Sequence, residues 1–272
     1  MQSYDPYELM ITPPNKKGEM IIREINKEDK ANLNLVSDLI VLGANLDWQE
    51  GDGSTALHWC VDWNHSRIAR MLIDAGADVN IQEGDGWTAL HWCAVKNRPE
   101  IARMLIDAGA DVNIQHNDGS TALHRCTLKN HLEISKMLID AGADVNIQDE
   151  DGWTALHLCV RWNNPEIARM LIDAGADVNI QDNNGWTALH WCAMWNRPGI
   201  LRMLIEAGAD LNVQNNYGRN ALHVCAVNNR SEIAKMLIDA GADKTIPKND
   251  GKLPYELAES KELKELKELL YP

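Results

Sequence analysis

Between Trp87 and Ala94 the chain reads WTALHWCA, and the same eight residues return at Trp186 to Ala193. An imidazole and a thiol two residues apart are the raw material of a zinc site or of a Cys–His nucleophile pair. The pair is multiplied along the chain. His58, His91, His124, His157, His190 and His223 are each followed, two residues on, by Cys60, Cys93, Cys126, Cys159, Cys192 and Cys225. Tryptophans flank several of these pairs, and an indole face attracts cations and apolar side chains. Which chemistry is available depends on the elements that hold these groups.

Those elements repeat. Gly53, Gly86, Gly119, Gly152, Gly185, Gly218 and Gly251 stand 33 residues apart without a slip. After the first six the pattern is Gly, variable, Thr, Ala, Leu, His, variable, Cys, with one loss of Thr at Arg219-Asn220. A second motif follows, clearest as EIARMLIDAGADVNIQ at Glu100–Gln115 and Glu166–Gln181. Each period predicts two short helices and a turn. Thr88 stands at an N-cap with His91 at the third helical position, where a capping-box side chain reaches back. The first helix should end by Asn97, and Pro99, Pro165 and Pro198 suit the first turn of a second, where a missing amide costs nothing. Gly109 and its equivalents close that second helix in the left-handed region. Helices this short need neighbouring copies to stabilise them.

This period, with T-A-L-H, a helix–turn–helix and G-A-D-V-N, closely resembles the ankyrin repeat, whose usual form is T-P-L-H, over roughly residues 33 to 259. The resemblance implies an all-α ankyrin-repeat solenoid of stacked helix–turn–helix repeats with projecting β-turns. Residues 1–32 are then a capping segment or arm, and 33–49 a degenerate half-repeat. Six repeats of 33 residues occupy 50–247, and 248–272 form a C-terminal capping repeat that ends in a charged amphipathic helix.

On a helix turning about 100° per residue, with Leu90 at 0°, His91 lies near 100°, Cys93 near 300° and Ala94 near 40°. Leu90, Cys93 and Ala94 make the buried arc. His91 and Cys93 point to opposite sides and cannot share a zinc, whose donors converge at about 2.0 to 2.3 Å. Cysteines of successive repeats, on helices ~8 to 10 Å apart, exceed the ~7 Å Cα limit of a disulfide. They read as small buried hydrophobes, at a position where ankyrin repeats usually carry Ala. The resemblance gives the six histidines hydrogen bonds to the Thr hydroxyl and the adjoining turn. A catalytic base needs one site with particular neighbours, and a residue copied six times serves the repeat. No catalytic residue, metal or cofactor is expected. His65, His116 and His131 lie outside the motif and read as solvated surface side chains.

The positions facing away from the buried arc vary. They pair Trp59 with Trp63, Trp92 with Lys96, Arg125 with Lys129, Leu158 with Trp162, Trp191 with Trp195, and Val224 with Asn228. The residue after each turn glycine varies too, and includes Trp87, Trp153 and Trp186. In the concave surface that the resemblance implies, nine of the ten tryptophans line one groove and Trp48 falls elsewhere. Even half exposed, at ~150 to 250 Å² each, they exceed the largest apolar patch of an ordinary monomer. Trp59, Trp92 and Trp191 also read as packing against the next repeat. Trp63, Trp162 and Trp195 are expected in water, because sister repeats place Lys96, Lys129 and Asn228 there. Lys96, Arg125, Lys129 and Arg161 give the floor a basic middle, beside acidic turns that carry Asp52, Glu83, Asp85, Asp118, Asp149, Glu150, Asp151 and Asp182.

Composition narrows the function classes. A net charge of −14 argues against general affinity for nucleic acid or anionic lipid. No apolar run has the length of a membrane span and the N-terminus lacks the pattern of a secretory signal. A monomer in the cytoplasm or nucleus is expected, or in a host cytosol if it is delivered there. Ten Trp and no Phe favour half-buried contact surfaces. The expected function is a non-enzymatic scaffold that holds a partner protein or peptide in the groove. Its contacts are Trp59, Trp63, Trp87, Trp92, Lys96, Arg125, Lys129, Trp153, Arg161, Trp162, Trp186, Trp191 and Trp195. The alternative is a small-ligand receptor in which groove tryptophans cage a methylated ammonium group or stack on a nucleotide.

Overall fold

The computed structural model describes residues 5–27, 31–258 and 264–272. Among them are helices and turns and no strand. The chain divides into two compact units, Met1–Ala143 and Asp144–Pro272. The first holds α1 (Pro6–Ile11), α2 (Pro14–Ile25), α3 (Leu33–Val41), α4 (Ala56–Asp62), α5 (Ser66–Asp74), α6 (Ala89–Lys96), α7 (Pro99–Asp107), α8 (Ala122–Lys129) and α9 (Leu132–Asp140). The second holds α10 (Ala155–Trp162), α11 (Pro165–Asp173), α12 (Ala188–Trp195), α13 (Pro198–Glu206), α14 (Ala221–Asn228) and α15 (Ser231–Asp239), then a 3-10 turn (Pro254–Leu257) and α16 (Lys264–Leu270).

Within each unit the first helices of successive repeats pack in one row (α4, α6, α8; α10, α12, α14) and the second helices in another. The caps explain why these segments are helical. The Thr88 amide donates to His91 Nδ1 at 3.3 Å, the Thr88 hydroxyl lies 2.9 Å from the same nitrogen, and His91 Nε2 donates to the Ser120 carbonyl of the next repeat at 3.2 Å. His58, His190 and His223 reach Trp87, Arg219 and Lys252 in the same way. Each of these four imidazoles therefore starts its own helix and ties it to the following turn. The six cysteines are fully buried.

The corner between paired helices is built by asparagine. Asn64, Asn97, Asn130, Asn163, Asn196 and Asn229 all have φ between 54° and 59°. Outside glycine, asparagine is among the few residues that adopt this region routinely. The next residue but one from the helix end does a second job. Arg98 donates to the Val61 and Asp62 carbonyls at 3.2 and 3.4 Å, Arg197 to Val160 and Arg161 at 3.1 and 3.3 Å, and Arg230 to Met194 at 3.2 Å. His65 donates to Ile25 at 3.1 Å and His131 to Ala94 at 2.8 Å. These acceptors lie in the last turn of α4, α6, α10 and α12, and of α2 in the case of Ile25, where helical donors run out. His65 and His131 are thus half-buried caps, and the expectation of solvated side chains was wrong for both.

At the N-terminus α2 packs on α3 and α4 and buries Ile21, Ile22 and Ile25 completely. Gly18 makes the close approach possible: a Cβ there would meet the Trp48 Cβ at 2.8 Å. Trp48 therefore belongs to this cap. Lys17, also buried, donates to the Leu42 carbonyl at 2.6 Å. At the other end α16 packs on α14 and α15 and buries Leu266 and Leu270, so the charged tail does form an amphipathic helix.

Candidate functional site

In the first unit the varied side chains come from α4, α6, α8 and the turns before them. Trp87 and Trp92 meet edge to face, 6.5 Å between centroids at 74°. Trp87 also meets His116, 5.0 Å away, and the Arg125 guanidinium lies 4.8 Å over its ring. Arg125 is bound in turn by the Asp118 carboxylate and lies 3.2 Å from His116 Nδ1, which is 2.7 Å from Asp118. His116 is therefore part of a buried-edge network and not a solvated side chain. Burial opposes ionisation of Asp118, but the Ser120 amide, His116 and Arg125 together hold its carboxyl below the usual range. Lys96 sits 5.5 Å over the Trp92 ring and pairs with Asp62 at 2.6 Å.

An open cleft of about 280 Å³ remains between Trp87, Trp92, Val95, Lys96, Glu83 and Asp85. Burial raises the Glu83 carboxyl, and Asp52 and Asp85 add to the rise against a hydrogen bond from Ser54. Trp59 is half-buried, and its Nε1 has no partner among the described residues. Trp63 is 38% exposed and donates to Asn26 Oδ1 at 3.1 Å, which ties it to the end of α2. Lys129 is exposed and stands apart from the Trp87 cluster.

The second unit gathers its six residues into one cluster. Trp186, Trp191 and Trp195 stack in sequence, at 4.4 Å and 28° and then 4.5 Å and 11°. Trp153 lies 5.1 Å from Trp191 and 6.0 Å from Trp195. Asp182 fixes the stack: its carboxylate accepts from Trp191 Nε1 at 3.1 Å and from the Trp186 amide at 2.9 Å. Arg161 lies over three rings, 5.4 Å from Trp153, 5.6 Å from Trp162 and 5.8 Å from Trp195.

Exposure differs from what the repeat pattern led us to expect. Trp153 and Trp186 are buried, at 9% and 8% exposure, because the residue after the turn glycine lies beneath the next aromatic side chain. They support the stack and do not line a groove floor. Trp162 is 50% exposed, whereas Trp195, half-buried, is covered on one face by Trp191. The basic middle of the floor is also changed, since acidic residues neutralise Lys96 and Arg125. Asp62 was missed because it falls at the end of α4, outside the turns whose carboxylates drew attention.

The groups that first suggested catalysis are committed elsewhere. Burial lowers the imidazoles of His91 and His190 to about 4, so they are neutral at pH 7. Burial likewise raises the thiols of Cys60, Cys93, Cys192 and Cys225, and that of Cys126 to about 12, so none is a thiolate nucleophile or ligand at pH 7.

Comparison with known proteins agrees with this architecture. The family model described as ankyrin repeats, in three copies, matches residues 27–116, 108–182 and 175–248, which is more than half of the chain. A similar solved structure is the crystal structure of the ankyrin repeat domain of Bcl-3, described as a unique member of the IkappaB protein family. It is 26% identical with a TM-score of 0.73, over 79% of this chain and 98% of that one. A search of curated protein sequences found no match.

Proposed function

The chain belongs to the ankyrin repeat family, whose repeats mediate protein–protein interaction, and from that premise we propose a non-enzymatic scaffold. It binds a partner protein or peptide through the face made by its first helices and turns. One observation carries this reading: the first-helix residues common to the repeats are buried, while varied positions of the same helices and their ends expose indole at Trp63 and Trp162. The Thr, Leu, His and Cys of the motif are buried, whereas Trp63 and Trp162 are 38% and 50% exposed. Exposed Trp beside Arg is the composition of binding hot spots. The scaffold is read as a monomer of the cytoplasm or nucleus. No helix among the described residues is long and apolar enough to cross a membrane.

A small ligand has narrower support. A cage for an ammonium group needs free indole faces, and Arg125, Lys96 and Arg161 already cover those of Trp87, Trp92 and Trp153. The stacked Trp191 and Trp195 leave no slot for a nucleotide base between them. The cleft beside Glu83 and Asp85 offers aromatic walls with carboxylates. Titrating a trimethyl-lysine peptide while following Trp fluorescence tests that cleft; a response abolished by Glu83→Gln with Asp85→Asn supports it.

The scaffold is tested by affinity capture with the wild type, a groove variant and an outer-face variant. The groove variant replaces Trp63, Trp162 and Trp195 by Ala, and the other replaces Arg103, Lys136 and Arg169 on the second helices. Partners retained by the wild type and the outer-face variant, and lost from the groove variant, are the expected result. Equal retention by all three overturns the assignment.

A further inference from the structure

Among the described residues three cations rest on indole rings, and two of them already have a carboxylate. Lys96 has Asp62 and Arg125 has Asp118. Arg161 has neither: among the described residues its guanidinium touches three tryptophans and makes no ion pair or hydrogen bond. An indole face stabilises the positive charge but accepts none of the five N–H donors in their fork geometry. The neighbouring acid is not available to it, because Asp182 is buried and spends its oxygens on Trp191 and on the Trp186 and Asn184 amides.

The surroundings are built to hold this side chain still. Asp182 pins the Trp186–Trp191–Trp195 stack and Trp153 packs against it, so the guanidinium lies on a well-packed platform while Arg161 itself remains exposed. A donor fork held in place ahead of its acceptor loses little entropy on binding. Apolar surface flanks it. Trp162 is 50% exposed on one side, and the equivalent positions of the next two repeats carry Met194, half-buried, and Val227, 50% exposed.

From this placement we propose that Arg161 receives the side-chain carboxylate of an Asp or Glu in a partner segment, with apolar residues of that segment against Trp162 and the Met194–Val227 row. The proposal rests on the scaffold reading and names the partner chemistry of its second unit. One guanidinium fork matches one monovalent carboxylate in bidentate geometry. A phosphate dianion would need more positive charge than a single Arg in a chain of net charge −14 provides. A basic segment would meet the like charge of Arg161.

The test uses the full-length protein and three blocked tripeptide amides, leucyl-glutamyl-leucine, leucyl-glutaminyl-leucine and leucyl-lysyl-leucine, with inorganic phosphate as a fourth probe. Binding is read from the indole N–H resonances of Trp162 and Trp195. The expected result is that the glutamyl peptide shifts both resonances at least tenfold more tightly than the glutaminyl or lysyl peptide. Arg161→Gln abolishes that preference and Arg161→Lys retains part of it, because an ammonium lacks the fork. Equal binding of the glutaminyl peptide, tighter binding of the lysyl peptide or of phosphate, or no response to any probe overturns the proposal. Partner capture separates the two levels. If capture needs Trp162 and Trp195 but survives Arg161→Gln, the carboxylate assignment falls and the scaffold stands.

Discussion

The His91 Nδ1 accepts from the Thr88 amide while Nε2 donates to the Ser120 carbonyl, so both nitrogens are in use before any proton is added. Protonation would break the first of these bonds inside a buried site. The folded-state value of about 4 for His91 and His190 lies below the ordinary 6.5, so the unfolded chain binds these protons more readily. Their stabilisation is complete above pH ~6.5 and is lost as pH falls toward ~4, by up to about 3 kcal/mol for each site. Urea unfolding at pH 7.5, 6 and 5 checks this; unchanged stability across that range contradicts it. The cysteines give a second expectation at this scale. Their thiols should resist a thiol reagent in the native protein and all react once it is unfolded. Both roles were legible in the sequence: helical spacing puts Cys93 in the buried arc and away from His91, and the ankyrin resemblance implied the bonds of His91 to Thr88 and the adjoining turn. The roles of His65, His116 and His131 were not. His65 and His131 share a repeat position with Arg98, Arg197 and Arg230, and the difference in residue type concealed a common task.

That common task belongs to the helices. A donor side chain from one repeat closes the C-terminus of the first helix of the repeat before it, so the short helices of each unit are completed only by stacking. Two hydrogen bonds and a cation at a helix C-terminus suggest a loss of about 1 to 3 kcal/mol for Arg197→Ala. Arg197→His should recover part of it, since His131 performs this function in the first unit. Chemical denaturation of the three proteins measures both effects; equal stability of the Ala variant and the wild type would refute the cap. The N-terminal cap is as sharply defined. Gly18→Ala pushes a methyl group against the Asn45 carbonyl and the Trp48 side chain, and should cost about 1 to 3 kcal/mol by overpacking. Hydrogen exchange should then rise first in α2 and α3. Helix starts, the Pro and Gly ends and the 33-residue period were all readable from the sequence. The asparagine corner was not recognised, although Asn recurs there six times, because a left-handed residue in the middle of a repeat has no partner motif.

For the whole molecule, each unit presents its own version of the same varied face. In Met1–Ala143 Lys96 and Arg125 are neutralised and a carboxylate-edged cleft remains. In Asp144–Pro272 a tryptophan cluster supports Arg161, which has no ion pair among the described residues. The sequence showed which positions vary, but burial of Trp186 and the pairing of Arg125 with Asp118 depend on rotamers, and burial of Trp153 and the pairing of Lys96 with Asp62 depend on residues of another repeat. The central claim is that partners dock on the first-helix and turn face. Site-specific photo-cross-linking tests it most directly, with a benzophenone amino acid placed at Trp63 or Trp162 on that face and at Arg103 or Lys136 on the second helices. Partner adducts from positions 63 and 162 and none from 103 and 136 are predicted, whereas adducts confined to 103 and 136 would contradict the account.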